Sequence, residues 1–177
     1  ARPDTTTAAY QKLPEVQITG AALHFAAPVE GTTLTAGRRN ELIRPREVDT
    51  NLATNNARQV LGRVPGLMVW ENDNSGQQLN VSTRGLSPNR LWEFNVRQNG
   101  YDIAPDPFGY PEAYYNPPLE AVERIQLIRG GAGLQFGPQF GGLMNYELRR
   151  GAPDRKLTVE TSNTGGSRGL FNTYNAV

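Results

Sequence analysis

Short alternations of apolar and polar residues, each closed by glycine, proline or asparagine, recur along this chain and predict strands more often than helices. Near the N-terminus, LPEVQITG at Leu13–Gly20 is one such stretch: Pro14 disfavours a helix, while Val16 and Ile18 alternate with Glu15, Gln17 and Thr19. The polar, Thr/Ala-rich run before it has no period and predicts disorder, and Ala21–Glu30 predicts a second flexible joint. Strands are predicted at Thr32–Arg38, Glu41–Ile43, Leu67–Trp70, Leu79–Thr83 and Phe94–Gln98, the last ending in an Asn99-Gly100 turn. Helical spacing occurs at Val60, Leu61 and Val64. Asn55 or Asn56 is placed to cap that helix, and Pro65-Gly66 to end it. Ser87-Pro88-Asn89 starts a single helical turn, and Leu119–Val122 is read as a short helix.

Tyr101–Pro118 (YDIAPDPFGYPEAYYNPP) breaks the alternation with five prolines and four tyrosines, which predicts a rigid aromatic loop. After Leu119 comes a buried strand through Ile125 and Leu127 that ends at Arg129. Six glycines follow within thirteen residues (Gly130, Gly131, Gly133, Gly137, Gly141, Gly142), then a second strand around Met144–Leu148. Such density predicts close backbone approach or positive φ, which glycine alone adopts without a Cβ clash. A dinucleotide loop would need a full helix after these glycines and an acidic residue about 20 positions on. Pro138 stops any helix after one turn, and Arg149-Arg150 stand where the acid belongs, so that reading fails.

The same residues carry a family resemblance. Glu123-Arg124-Ile125, Ile128-Arg129-Gly130, Phe136-Gly137-Pro138-Gln139 and Gly141–Asn145 (GGLMN) resemble the form ERIEVLRGPxSxLYG…GGVIN in the plug domain of TonB-dependent outer-membrane receptors. Upstream, NARQVLGRVPGLMV at Asn56–Val69 resembles the plug's helix-to-strand element, Thr83-Arg84-Gly85 its "IRG", and Val96–Ile103 its "VLxDGxPx". Asn99 replaces the usual Asp of that turn, and Asn also tolerates αL geometry. The resemblance implies an α+β fold: a small mixed β-sheet plug with short helices and long apical loops, followed by the first hairpin of a transmembrane β-barrel. It divides the chain into a flexible N-terminal segment at 1–29, a plug at 30–152, and the truncated start of a barrel at 153–177. The last part rests on Lys156–Ser162 and Gly169–Val177, alternating segments around a Gly165-Gly166-Ser167 turn. Without the resemblance, that pattern favours an ordinary amphipathic hairpin.

Composition narrows the classes. In 177 residues the formal net charge is +1, so no field for nucleic acid or a membrane surface is implied. Cysteine is absent, which removes disulfides, thiolate catalysis and zinc–thiolate sites. Glycine at 19, proline at 13 and hydrophobics at 37% suit a loop-rich β or α+β fold. No apolar run approaches the ~20 residues of a membrane helix. No signal peptide is evident, so an exported protein would be present here in its mature form.

Candidate residues follow from the resemblance. Leu13, Pro14, Glu15, Val16, Gln17, Ile18, Thr19 and Gly20 resemble the TonB box, which adds as a strand to a periplasmic energy-coupling protein. A β-like octamer near a terminus is common, and its place upstream of a plug is what singles it out. Arg84 and Arg129 match two arginines that pair with carboxylates of the inner barrel wall, against the plainer reading of surface salt bridges. Within the family, DPFGYPEAYY and FGPQFGG resemble the ferric dicitrate receptors. Arg90, Asp106, Tyr110, Tyr114, Tyr115 and Gln139 are therefore the candidate face for an iron chelate, where cationic and amide donors meet carboxylates. The plainer reading is that the tyrosines and prolines only stiffen a loop. Asp102, Asp106, Glu112, Glu120 and Glu123 suggest paired carboxylates, but no apolar pocket is apparent to tune one. His24, the only histidine, has no Ser or Asp partner at a telling spacing. Catalytic residues, metal ligands, cofactors and nucleic-acid partners are thus expected to be none.

The implied function is the gate of an outer-membrane transporter for an iron chelate such as ferric citrate, its N-terminus in the periplasm. A receptor for another siderophore, cobalamin or a carbohydrate, or a standalone ligand-binding module, remain the alternatives.

Overall fold

The structure is a computed structural model and describes residues 24–25, 27, 29–30, 33–34, 40–72, 78–104, 114–137, 140–151 and 153–177. Leu13–Gly20 and the loop positions Asp106, Tyr110 and Gln139 lie outside them. Twelve strands are described: β1 (His24–Phe25), β2 (Val29–Glu30), β3 (Thr33–Leu34), β4 (Glu41–Ile43), β5 (Leu67–Glu71), β6 (Leu79–Thr83), β7 (Asn95–Gln98), β8 (Tyr101–Asp102), β9 (Val122–Ile128), β10 (Leu143–Leu148), β11 (Glu160–Gly165) and β12 (Phe171–Ala176).

The main sheet has six strands in the order β1-β4-β9-β10-β7-β8. β10 runs parallel to β7 and antiparallel to β9, so the sheet is mixed. The long strands β9 and β10 form its centre, and the N-terminal β1 lies at one edge against β4. Alternation along the strands gives the sheet one apolar face, with Ile43, Val96, Ile125, Leu127, Met144 and Tyr146 all at most 2% exposed. Against these pack Val60, Leu61 and Val64, and Leu79 and Val81 of the β5–β6 hairpin. Each fully buried aliphatic side chain stabilises this core by roughly 1.5–3 kcal/mol.

The one α-helix among the described residues, α1 (Ala57–Leu61), starts where a cap was expected: Asn56 Oδ1 accepts from the Gln59 amide at 3.2 Å. Pro65 and Gly66, the latter at φ 73°, turn the chain from α1 into β5. Asn99 (φ 50°) and Gly100 (φ 85°) form a two-residue turn joining β7 to β8, the geometry of type I′. Asn99 also spans to the sheet centre: its Oδ1 accepts from the Leu148 amide at 3.0 Å, and its amide donates to the Tyr146 carbonyl at 2.8 Å.

Four boundaries differ from the sequence reading. Tyr101–Asp102 is strand β8 rather than loop, because the Asn99-Gly100 turn folds it back on β7 before the prolines begin. Within the expected flexible joint at Ala21–Glu30, His24–Phe25 pairs with Glu41 and Leu42, and Val29–Glu30 pairs with β3. The glycine-rich run is a 3₁₀ helix over Gly130–Phe136. Finally, β11 begins at Glu160, after an unpaired stretch through Leu157–Val159.

Candidate functional site

At one end of the main sheet, β9 delivers Arg129 next to Glu41 of β4. Their Nη2 and Oε2 atoms lie 3.1 Å apart, with side chains only 18% and 9% exposed. Arg129 Nη2 also reaches the Pro65 carbonyl at 3.4 Å, and its amide donates to Asn40 Oδ1 at 2.9 Å. The pair is close but poorly aligned: Glu41 Oε2 and Arg129 Nε are both buried without a hydrogen bond among the described residues. This is an ion pair with unused hydrogen-bonding capacity. Glu41 thus gives Arg129 a carboxylate partner within this chain, besides the barrel-wall carboxylates that the resemblance implies.

Arg84 stands at the same end. It follows β6 in the left-handed region (φ 58°) with Gly85 (φ 75°) after it, and its side chain is exposed with no ion pair among the described residues. Thr83 pairs across the hairpin with Leu67, so Arg84 follows at the Pro65-Gly66 end of that hairpin, and Arg129 reaches the Pro65 carbonyl. The glycines explain how this end closes. Thr83 Oγ1 donates to the Gly141 carbonyl, and the Gly141 amide to the Glu93 carbonyl at 2.6 Å. A Cβ on Gly142, at φ 108°, would lie 2.8 Å from the Ile128 carbonyl oxygen, so side chains are excluded there.

Arg90 (φ 59°) and Leu91 (φ 54°) are consecutive left-handed residues, a costly arrangement outside glycine. The Arg90 guanidinium lies 5.6 Å from the Trp92 ring centroid, a cation–π distance. The bond between Glu93 and Gly141 sets this turn beside the 140–142 segment that follows Gln139. Trp92 is 63% exposed, Phe140 76% and Leu134 67%, three exposed apolar side chains that sequence reasoning missed. The signal was faint, because an isolated Trp or Phe in a loop reads equally as core. Tyr114 and Tyr115 are half exposed, and the chain leads from them to Leu119, whose amide bonds Asn55 Oδ1 at 2.9 Å. That anchor lies at the beginning of β9, whereas Arg90 lies toward its end.

A cavity of about 240 Å³ opens elsewhere, between Leu148–Gly151 and the β11–β12 hairpin. Its walls include Arg149, Thr158, Glu160 and Tyr174, none of them expected as ligand residues. On the hairpin, Glu160, Ser162, Thr164, Asn172, Tyr174 and Ala176 are half-buried, while the opposite face is exposed. That outer side carries Leu157, Val159, Phe171 and Val177, with a cross-strand bond from Thr161 to Asn175 at 2.8 Å. Among the described residues no group of His, Asp and Glu is arranged to hold a metal. No described helix is long and apolar enough to cross a membrane, which says nothing of strands.

Comparison with known proteins meets this geometry. Residues 39–143 match the family model of the TonB-dependent receptor plug domain. The solved ferric citrate transporter FecA, in its unliganded form, is 30% identical over 63% of this chain and 17% of its own, with a TM-score of 0.53. The copper transporter OprC matches 88% of this chain and 22% of its own, at 19% identity and TM-score 0.54. The hemophore receptor HasR of Serratia marcescens, solved with its hemophore HasA and heme, matches 77% of this chain and 21% of its own, at 16% identity and TM-score 0.56. The last two likenesses are of fold alone. The chain spans less than a quarter of the length of each of these proteins.

Proposed function

We propose, from the premise that this chain belongs to the TonB-dependent receptor plug domain family, that it is the gate of an outer-membrane transporter importing an iron chelate, with ferric citrate as the substrate. The observation that carries the gate is the Arg129–Glu41 pair at the glycine-rich end, with Arg84 exposed after β6. Two guanidinium groups toward one end of the fold, one without an ion pair among the described residues and one poorly aligned, suit carboxylates from a surrounding barrel wall. A charge pair desolvated on closure and separated on opening gives two distinct states rather than a continuum.

The remaining assignments follow from this reading. Leu13–Gly20 is the segment that adds as a strand to the periplasmic energy-coupling protein. β11 and β12 are the first barrel hairpin, with the Glu160 side facing the plug. The driving energy comes from the inner membrane through the partner, so no nucleotide site is required. Arg84 and Arg129 lock the plug to the barrel.

Ferric citrate is favoured by the 30% identity to a ferric citrate transporter and by the proline- and tyrosine-rich loop with its FGPQFGG turn. Citrate is a polyanion, and Arg90, Gln139, Tyr110, Tyr114, Tyr115 and the Asp106 loop offer it a cation, an amide and hydroxyl donors. The test is binding and uptake of ferric citrate by the whole receptor, alongside Gln139→Ala and Tyr110→Ala. Weakened binding in both variants is expected. If both bind as the parent does, or the parent prefers another chelate, the substrate assignment is wrong.

A further inference from the structure

One carboxylate joins three separate segments at the end of the sheet away from Arg129. Glu160 Oε1, at the start of β11, lies 2.5 Å from Arg46 Nη2, and its Oε2 lies 2.5 Å from Arg149 Nη2. Both guanidinium groups also donate to the Glu120 carbonyl, each at 3.3 Å. Arg46 follows β4, Arg149 follows β10, and Glu120 precedes β9. Asn172 of β12 adds a second tie, donating to the Ala53 carbonyl at 3.0 Å. Here both carboxylate oxygens are engaged by charge-assisted bonds, unlike the Glu41–Arg129 pair, whose geometry is poor.

Topology gives this junction a consequence. Tension from the N-terminal side meets β1 first, at the sheet edge and held by two register pairs to β4. The β2–β3 hairpin follows, and then β4, held to β9 by three pairs; Glu41 leaves with β4, so Arg129 loses its carboxylate. Arg46 comes immediately after. Behind it stands the core of α1, with Val60 and Leu61 at most 1% exposed.

We propose that Glu160, held between Arg46 and Arg149, is the stop that limits how much of the domain is drawn out by tension on its N-terminal side. β1 and β4 come away, and the chain from Arg46 onward stays seated. A single exposed ion pair is a weak fastening. This one resists because extracting Arg46 must also strip it from the Glu120 carbonyl and detach it from the hairpin. The inference rests on the gate reading, since that reading supplies the tension.

The test is single-molecule pulling on the whole receptor through its N-terminus, with applied force standing in for the partner. Releasing residues 24–45 frees about 75 Å of extended chain, less the folded distance it spanned, at ~3.4 Å per residue. The parent should pause after this step. Glu160→Gln and, separately, Arg46→Gln should lengthen the first step, whereas Arg149→Gln, which keeps the Arg46 bond, should retain it. An unchanged step in both of the first two variants, or a parent that extends without pausing, overturns the proposal. Should those variants fail to assemble, the otherwise cysteine-free stretch of the parent answers. Under tension Leu42→Cys should become reactive to a thiol reagent and Val60→Cys should not, and a reactive Val60→Cys overturns the stop. Failure of ferric citrate import would sink the substrate assignment and leave these outcomes unaffected.

Discussion

Replacing Glu41 by Gln tests the central charge pair most directly. The substitution keeps shape and removes charge, leaving the Arg129 guanidinium largely buried with only the long contact to the Pro65 carbonyl. At 3.1 Å and an effective dielectric of 20, the attraction lost is about 5 kcal/mol, most of which had offset the desolvation of the two groups. Removing one partner of a buried pair typically costs ~3–5 kcal/mol. Poor alignment and 18% exposure of the arginine place this case near the lower bound, about 3 kcal/mol. Replacing both residues with leucine should cost much less, because neither charge is then stranded. Urea unfolding of the chain followed by tryptophan fluorescence measures both. With a slope of roughly 1–3 kcal/mol per molar, Glu41→Gln should lower the midpoint by about 1 M or more. A loss below ~1 kcal/mol for Glu41→Gln, or a double variant as unstable as the single, would refute the view that the pair is a desolvated charge couple.

Three further outcomes are expected. Leu127→Ala, at 0% exposure in the sheet centre, should cost ~2–5 kcal/mol in the same urea assay, and a smaller loss would contradict the packing of β9. Burial, and then the negative charge of Glu71, push the Tyr146 phenol above its ordinary range. Its stabilising effect is therefore complete below the unfolded value of about 10 and is lost as pH rises beyond it. Alkaline unfolding should be milder in Tyr146→Phe, and identical curves would exclude that cause. Ile18→Pro removes an amide donor from the proposed TonB box, so uptake should vanish while ligand binding persists. Normal uptake in that variant would exclude strand addition there.

The short-range features of the fold were legible because each is written within a few residues. Asn56 is a cap by chemistry, Asn99-Gly100 a hairpin turn by conformational tolerance, and β5, β6, β7 and β10 show their period. β8 was missed because the prolines after Ala104 dominate the composition of that window, although the turn before it already dictated pairing. The parallel pairing of β7 with β10 has no local signal, since register across distant strands is settled by which faces must be buried together. The same holds at the candidate site. Arg84 and Arg129 were visible as strand-ending residues in a family pattern. The Asn40 and Glu41 contacts to Arg129 and the Glu160 junction were not, because their partners lie 89 residues apart for Asn40 and 114 for Arg46 and Glu160. Exposure of Trp92 and Phe140 is likewise a tertiary outcome, because side-chain type alone favours burial for both.

The second face of the main sheet shows why so small a domain keeps polar residues inside. In register across it stand Gln126, Asn145, Arg97 and Asp102, one from each of β9, β10, β7 and β8. Asn145 Nδ2 donates to Gln126 Oε1 at 3.1 Å, and its Oδ1 accepts from the Gly100 amide at 2.8 Å. Arg97 donates to Asn95 Oδ1, the Gly100 carbonyl and the Phe136 carbonyl at 2.7–2.8 Å, which fastens the 3₁₀ helix over this face. An apolar row of equal volume would match or exceed this stability, since buried polar bonds roughly cancel their desolvation. It would, however, tolerate β7 sliding against β10, because hydrophobic contact is non-directional. A slip of one residue here would strand Asn145 and Arg97 without partners, at a cost of 1–3 kcal/mol or so for each group. The polar row therefore holds the register that sets the Asn99-Gly100 turn at one end of the strands and the Gly141-Gly142 approach at the other. The position of Arg129 depends on that second approach.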